Sequence, residues 1–163
     1  MRVLGIDPGS VCTGYGLIEE GLAGMRVLAS GVIRAPRGPL AERLRKIFGE
    51  LEELLAEHQP DAVAVEAIFH ARNARSALIL GHARGAALLA AGRAGASVYE
   101  YSTKTVKQTV TGFGGADKEQ VRRMLQMLLG TMPTALDASD ALAVALCHLR
   151  WCKGGQMLRE AQE

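Results

Sequence analysis

Short apolar runs separated by turn residues fill the first part of the chain, a pattern typical of strands. The first run ends at Pro8-Gly9, a pair that favours a turn. The second and third runs are joined by the glycine-bounded segment 21–24. Three strands are therefore predicted over residues 2–7, 13–20 and 25–34, and their short connections favour an antiparallel meander.

The pattern then changes to helical periodicity. Large apolar residues recur every three or four positions between Leu40 and Leu55, and charged residues occupy the opposite face. Pro60 ends this predicted helix, because proline cannot continue it. Beyond it the sequence predicts a buried strand over 61–66, an alanine-rich helix over 72–92 and a fifth strand over 97–101.

The remaining pattern is helical. A short helix over 103–111 precedes a glycine-rich loop at 112–115, and the next helix ends near Gly130. Asp117 is predicted to cap that helix, with Gln120 three residues later in the capping-box position. A last helix is predicted over 135–151. Residues 1–151 are thus expected to form a single domain, and 152–163 a polar tail.

The order of the predicted elements is three strands, helix, strand, helix, strand and further helices. A strand–helix–strand connection is right-handed in nearly all proteins, which places the fourth and fifth strands beside the first. The sequence therefore predicts an α/β fold, with a five-stranded mixed sheet and helices on both faces.

Composition narrows the class of protein. With 48% hydrophobic and 22% charged residues in 163, the chain has the composition of a soluble globular protein. No apolar stretch approaches the ~18–20 residues of a membrane span, and no signal peptide is apparent, so a cytoplasmic location is expected. Three cysteines without a C-x-x-C pair argue against a disulfide or zinc framework.

The net charge of +2 conceals an uneven distribution. Residues 67–116 hold six bases and a single acid, Glu100. A basic surface of this kind is what a nucleic-acid-binding protein needs, although a solvated face without a function would also fit.

Four acids are predicted to converge. Asp7 and Glu66 end neighbouring strands, and open α/β sheets bind ligands at that edge. Asp137 and Asp140, spaced i, i+3, share one face of the last helix. Taken singly, Asp7 could belong only to a turn and Asp137 only to a helix cap. Together, the four carboxylates repel one another and favour Mg²⁺ or Mn²⁺.

Four segments carry a resemblance to a known family. They are LGIDPGSVCTGYGLIE at 4–19, AVEAIFHARNARSALILGHARG at 64–85, VKQTVTGFGGADKEQV at 106–121 and DASDALAVALCH at 137–148. In order and spacing they closely resemble the RuvC family of crossover junction endodeoxyribonucleases, which have the ribonuclease H-like fold. The resemblance covers almost the whole chain.

The resemblance implies a homodimer that binds a four-way (Holliday) junction and nicks two strands symmetrically, leaving 5′-phosphate and 3′-hydroxyl ends. It implies two Mg²⁺ ions per subunit, with Mn²⁺ as a substitute, and a branch-migration complex of RuvA- and RuvB-type proteins as partner. Carried over by position, the catalytic and metal-binding acids are Asp7, Glu66, Asp137 and Asp140, and the catalytic lysines are Lys107 and Lys118. The expected DNA-contacting residues are Phe69, Arg72, Asn73, Arg75, Lys104, Lys107, Gln108 and Lys118.

Several alternatives stay open at this point. Phe69 could be a base-stacking residue or a hydrophobic plug beneath its loop. Gly81 and Gly85 could admit a second subunit or pack against the sheet of their own. A non-catalytic junction-binding protein is one rival, although four acids would repel DNA. An actin-like ATPase is another, but it requires a second lobe for which 163 residues leave no room.

Overall fold

The predicted meander opens the fold, followed by two strand–helix units and a helical second half. The computed structural model describes residues 1–67, 73–131 and 133–160, with the backbone alone for 153–160. In chain order the elements are β1 (Arg2–Asp7), β2 (Cys12–Gly21), β3 (Gly24–Arg34), α1 (Leu40–His58), β4 (Ala62–Ala67), α2 (Ala74–Arg93), β5 (Ser97–Ser102), α3 (Thr103–Thr111), α4 (Lys118–Leu129) and α5 (Leu136–Glu160).

The five strands form one mixed sheet in the order β3-β2-β1-β4-β5. β1 pairs antiparallel with β2 and parallel with β4, and β4 pairs parallel with β5. This arrangement confirms the predicted α/β class and the position of the fourth and fifth strands beside the first. It also brings the carboxyl ends of β1, β4 and β5 to the same edge.

The alternation of side chains along the strands divides the core into two layers. Leu4, Ile6 and the matching valines of β4 pack against α1 and α2 on one face. Val3 and the alanines of β4 pack against α3, α4 and α5 on the other face. α5 is the central helix of this second layer, since every residue from 141 to 149 is buried.

Glycines in the sheet let α5 lie directly on the strands. A Cβ added at Gly5 would come within 2.0 Å of the Ala141 carbonyl oxygen, and one at Gly14 within 2.0 Å of the Asp137 carbonyl oxygen. Real Cβ atoms never approach backbone this closely, so neither position can hold a larger residue unless the helix moves. The glycines therefore fix the height of α5 above β1 and β2.

Three helix ends can be compared with their predictions: one agrees with the structure and two differ. The capping box of α4 is present, with the Asp117 side chain accepting from Gln120 N and the Gln120 side chain from Asp117 N. α2 begins at Ala74 and not at residue 72, because Asn73 caps it. α5 continues to Glu160, beyond the predicted end at residue 151, because glycine disfavours a helix by only about 1 kcal/mol and does not stop it. Within the described residues, no helix is both long and apolar enough to cross a membrane.

The close approach of α5 to β1 generates a stability prediction. Gly5→Ala should lower the free energy of unfolding by about 1–3 kcal/mol, the usual cost of overpacking, because its Cβ meets helix backbone that cannot move aside. Gly49→Ala in α1 is the matched control, since nothing lies within 4 Å of the added Cβ. The control should be stabilised by about 0.5–1 kcal/mol. Denaturant titration measures both, and equal effects would contradict the proposed contact.

Candidate active site

Two strands bring the first pair of acids together. In the parallel register of β1 with β4, Ile6 lies opposite Val65, so Asp7 and Glu66 follow side by side at the carboxyl edge of the sheet. Their carboxyl groups are close enough to share a hydrogen bond. Two carboxyl groups at one edge of the sheet concentrate negative charge, and a cation is favoured there.

The first turns of α5 carry the second pair. Asp7 pairs with Gly14 across β1 and β2, and the backbone of Asp137 lies directly against that glycine. Asp137 and Asp140 both act electrostatically on Asp7. The close contact of α5 with the sheet is thus what brings the helix acids towards the strand acids.

The pKa of Asp7 is raised by its burial and by the negative charges around it. Burial, and after it the neighbouring carboxylates of Glu66, Asp140 and Asp137, raise the pKa of Asp7 to about 8. An ordinary aspartate ionises near pH 4. pKa shifts of this size are concentrated at functional sites, because burial and nearby like charges adjust the pKa of catalytic groups to their task.

Asp140 and Glu66 are each held in place by one hydrogen bond. Lys118 Nζ donates to Asp140 Oδ2 at 2.6 Å, and this hydrogen bond raises the pKa of Lys118. Thr103 Oγ1 donates to Glu66 Oε1 at 2.6 Å. The sequence analysis missed Thr103, because its contact with Glu66 spans 37 residues and depends on the pairing of β4 with β5. A threonine directly after a strand beside a predicted carboxylate is the signal that could have found it.

The acids line an open cleft with basic walls. One lobe, of about 790 Å³, is bordered by Asp7, Glu66, Lys104 and Lys107. A second lobe, of about 310 Å³, shares Asp7, Glu66 and Lys107 and adds Lys118 and Asp140. The three predicted lysines therefore border the same pair of adjoining lobes as the acids Asp7, Glu66 and Asp140. Asp137 borders neither lobe.

The other predicted DNA-contacting residues are in varied places. Arg75 is exposed near the start of α2, and Asn73 Oδ1 accepts from Ser76 N at 2.9 Å as the cap of that helix. Gln108 braces the loop after α3, donating to the Gly112 carbonyl oxygen at 2.6 Å. Both amides thus have structural contacts that the sequence analysis did not foresee. Phe69 and Arg72 lie outside the described residues.

The two glycines of α2 are on its outer surface. A Cβ added at Gly81 or Gly85 would have nothing within 4 Å. The alternative that these glycines allow close packing against the sheet of the same chain is therefore wrong.

The carboxylates fit a hydrated divalent ion better than a fully caged one. Within the described residues, no three His, Cys, Asp or Glu side chains form a ready-made metal cage. Mg²⁺ seldom needs one, because it keeps several waters and takes one or two carboxylates together with substrate phosphate oxygens. The ammonium group of Lys118 forms an ion pair with Asp140, which shows that this position favours a positive charge. The carboxylate oxygens therefore suit a hard divalent cation whose remaining ligands are water or phosphate oxygens.

The fold and the acid-floored cleft define a nuclease of the ribonuclease H-like class. The family model described as "Crossover junction endodeoxyribonuclease RuvC" matches residues 3–148. The chain belongs to this family, whose members are in general metal-dependent.

Individual proteins that are similar to this chain support the same family. The protein of that name from Pseudomonas aeruginosa (strain LESB58) is 53% identical over 147 residues, covering 90% of this chain and 84% of the relative. The one from Marinobacter nauticus is 52% identical with the same coverage. The solved structure of T. thermophilus RuvC in complex with a Holliday junction substrate matches with a TM-score of 0.89 and 39% identity, over 95% of this chain and 96% of that one. The yeast mitochondrial resolvase Ydc2, 14% identical with a TM-score of 0.66 over 91% of this chain and 79% of that one, shares the fold.

The raised pKa of Asp7 generates a prediction about stability. Its pKa in the fold, about 8, lies above the value of 3.8 expected for the unfolded chain. The folded protein therefore holds a proton that the unfolded chain releases, and the stability due to that proton is lost as the pH rises from about 4 through about 8. Asp7→Asn should remove this loss, because asparagine does not ionise. In EDTA the Tm of the variant should therefore exceed the Tm of the wild type, and the difference should grow from pH 5 to pH 8.

Calorimetry measures the effect, at roughly 2–4 °C for each kcal/mol in a domain of this size. Mg²⁺ should raise the Tm of the wild type more than that of the variant. Asp117→Asn is the control, because it also removes one carboxylate while asparagine keeps the helix cap. An Asp7→Asn protein that melts below the wild type at pH 8 would show that the carboxylate stabilises the fold.

Proposed function

We propose that this protein is a structure-selective endonuclease that resolves Holliday junctions in homologous recombination and DNA repair, with residues 1–151 as its nuclease domain. The observation that carries the proposal is Asp7, a carboxyl group whose pKa is raised to about 8 at the floor of a cleft with lysine walls. The 39% identical Thermus thermophilus relative, whose structure contains a Holliday junction, supports the choice of substrate.

The acids would hold two Mg²⁺ ions per subunit, with Mn²⁺ as a substitute. Asp7 would be shared, with Glu66 on one side and Asp137 and Asp140 on the other. When bound, such ions supply an activated water for in-line attack on phosphorus and stabilise the leaving 3′ oxygen. Cleavage of this kind leaves a 5′-phosphate and a 3′-hydroxyl end.

The basic and polar residues of the cleft orient the substrate around the acids. Lys107 borders both lobes and would neutralise charge that develops on the phosphate oxygens. Lys118 would leave Asp140 for the phosphate when the carboxylate takes up a metal ion. Thr103 donates a hydrogen bond to Oε1 of Glu66 and so would orient this carboxylate as a metal ligand.

A homodimer would provide the two sites that symmetric nicking requires. The outer surface of α2 presents Leu78 and Leu89, which are 66% and 59% exposed, with Gly81 and Gly85 between them at helical spacing. Glycines flanked by leucines suit the close approach of a second copy, and an isologous pair matches the two-fold symmetry of a four-way junction. A branch-migration complex of RuvA- and RuvB-type proteins would deliver the junction in the cytoplasm.

Loss of the Asp7 carboxylate should separate cleavage from binding. Asp7→Asn should reduce junction cleavage roughly 100-fold or more, about 2.7 kcal/mol of barrier, because metal binding is impaired. Binding should persist or tighten, since a negative charge that faces phosphate is removed. Gel-shift and cleavage assays measure the two effects, with Glu57→Gln on the exposed side of α1 as the charge-matched control. Parallel loss of binding and cleavage would contradict a catalytic role for Asp7, as would unchanged cleavage. Binding without any cleavage by the wild type would favour a non-catalytic junction-binding protein.

The proposed dimer surface generates a second prediction. Gly85→Glu should give a monomer at micromolar concentration, because a charged side chain would enter the apolar contact. The same change at Gly49, which also has free space for a Cβ, is the control on α1 and should leave the oligomeric state unchanged. Sedimentation velocity measures both proteins. A wild-type monomer, even with junction DNA bound, would contradict the proposal, as would a Gly85→Glu dimer.

A further inference from the structure

Phe113 is an exposed aromatic residue with no place in the core. It lies in the loop between α3 and α4 and is 64% exposed. Phe48, by contrast, packs against the α1–α2 side of the core. Burying a phenylalanine side chain stabilises a fold, so a ring left in water forgoes that stabilisation. Such a residue calls for an explanation outside the fold of the single chain.

The loop that carries Phe113 is held by hydrogen bonds on both sides of the ring. Phe113 N donates to Thr111 Oγ1 at 3.2 Å, and the Phe113 carbonyl oxygen accepts from Ala116 N at 3.1 Å. The Gln108 amide spans the loop, donating to the Gly112 carbonyl oxygen at 2.6 Å and accepting from Gly114 N at 2.9 Å. The backbone is thus fixed in the conformation that keeps the ring outside.

The ring rests on the backbone of Gly115. A Cβ added there would come within 2.6 Å of the Phe113 Cζ atom, so only glycine leaves the ring its position. Resting on backbone in this way, an exposed ring can still offer a face to a partner. A flat, preorganised aromatic surface loses little entropy when a planar partner stacks on it.

The loop stands at the rim of the acid-floored cleft. Gly114, the next residue, borders the same lobe as Asp7 and Lys107, and a Cβ added to it would lie 3.0 Å from Lys104 Cγ. The loop that carries the exposed ring therefore adjoins two lysines that border the cleft. Proteins that bind single-stranded or distorted nucleic acid combine basic side chains along the backbone with aromatic rings under the bases.

We propose that Phe113 is a DNA contact that stacks on a base of the strand entering the cleft, while Lys104 and Lys107 hold the neighbouring phosphates. This inference rests on the proposed function, because it takes junction DNA as the ligand. Bases near a crossover are accessible for stacking, since their pairing is already disturbed. The residue thereby holds the distorted strand over the acids from the side of α3 and α4.

The first test measures affinity for a synthetic four-way junction in the Asp7→Asn background, so that the DNA stays intact. Phe113→Ala should raise the Kd about 10- to 100-fold, the effect of losing one base–aromatic stack. Phe113→Tyr should bind as the parent does, because it keeps the ring. Leu22→Ala is the control, since Leu22 is a fully exposed apolar residue on the β2–β3 turn, and it should have no effect.

The second test detects stacking directly. Trp151 is the single tryptophan, so a Trp151→Phe, Phe113→Trp protein carries its only indole in the loop. Junction DNA should quench its emission, because a stacked base does so. A saturated junction complex without quenching, or Phe113→Ala with unchanged Kd, would overturn the inference and leave the proposed function standing. A change of oligomeric state in Phe113→Ala would assign the ring to a protein contact instead. Absence of junction binding by the parent protein would overturn both.

Discussion

The close contact of α5 with the sheet is the constraint on which the rest of the structure depends. Three glycines, Gly5, Gly14 and Gly16, occupy the strand positions beneath this helix, and an added Cβ at any of them would lie within 3 Å of it. The helix is therefore held against β1 and β2, and buried along its length from residue 141 to 149. Because Gly14 is paired with Asp7, the same contact that completes the core also carries Asp137 and Asp140 to the carboxyl edge of the sheet. The packing of α5 on the sheet therefore both completes the core and assembles the site.

That assembly stores electrostatic repulsion. Burial and three nearby carboxylates raise the pKa of Asp7 to about 8, a state that lowers the stability of the fold at neutral pH. The fold compensates in part through Lys118 on Asp140 and Thr103 on Glu66. The remaining excess of negative charge in a basic-walled cleft is best satisfied by divalent ions together with a phosphate backbone. The charge balance of the cleft thus favours metal-dependent phosphodiester hydrolysis over binding alone.

Much of this could be predicted from the sequence, because the decisive signals are local. Strand and helix periodicity and the handedness of strand–helix–strand units predict the sheet order, and the sheet order makes Asp7 and Glu66 neighbours. The capping box at Asp117 is likewise a local signal, and it correctly predicts the start of α4. What escaped prediction depends on contacts between distant segments. Thr103 acquires its role only when β5 pairs with β4, and the exposure of Phe113 depends on the bracing of its loop by Gln108. The end of α5 was missed because Gly154 and Gly155 lower helix stability without ending this helix, whereas Gly130 does end α4.

The most direct test of the account is to map the products from two synthetic four-way junctions, one mobile and one immobile, with Mg²⁺ and with EDTA. With Mg²⁺, the protein should nick two strands of like polarity at symmetry-related positions. A ligase should reseal the products, since they should carry 5′-phosphate and 3′-hydroxyl ends. In EDTA the junctions should stay intact while remaining bound. Cleavage in EDTA, or binding in Mg²⁺ without any cleavage of either junction, would contradict the claim that the four carboxylates form a metal-dependent hydrolytic centre.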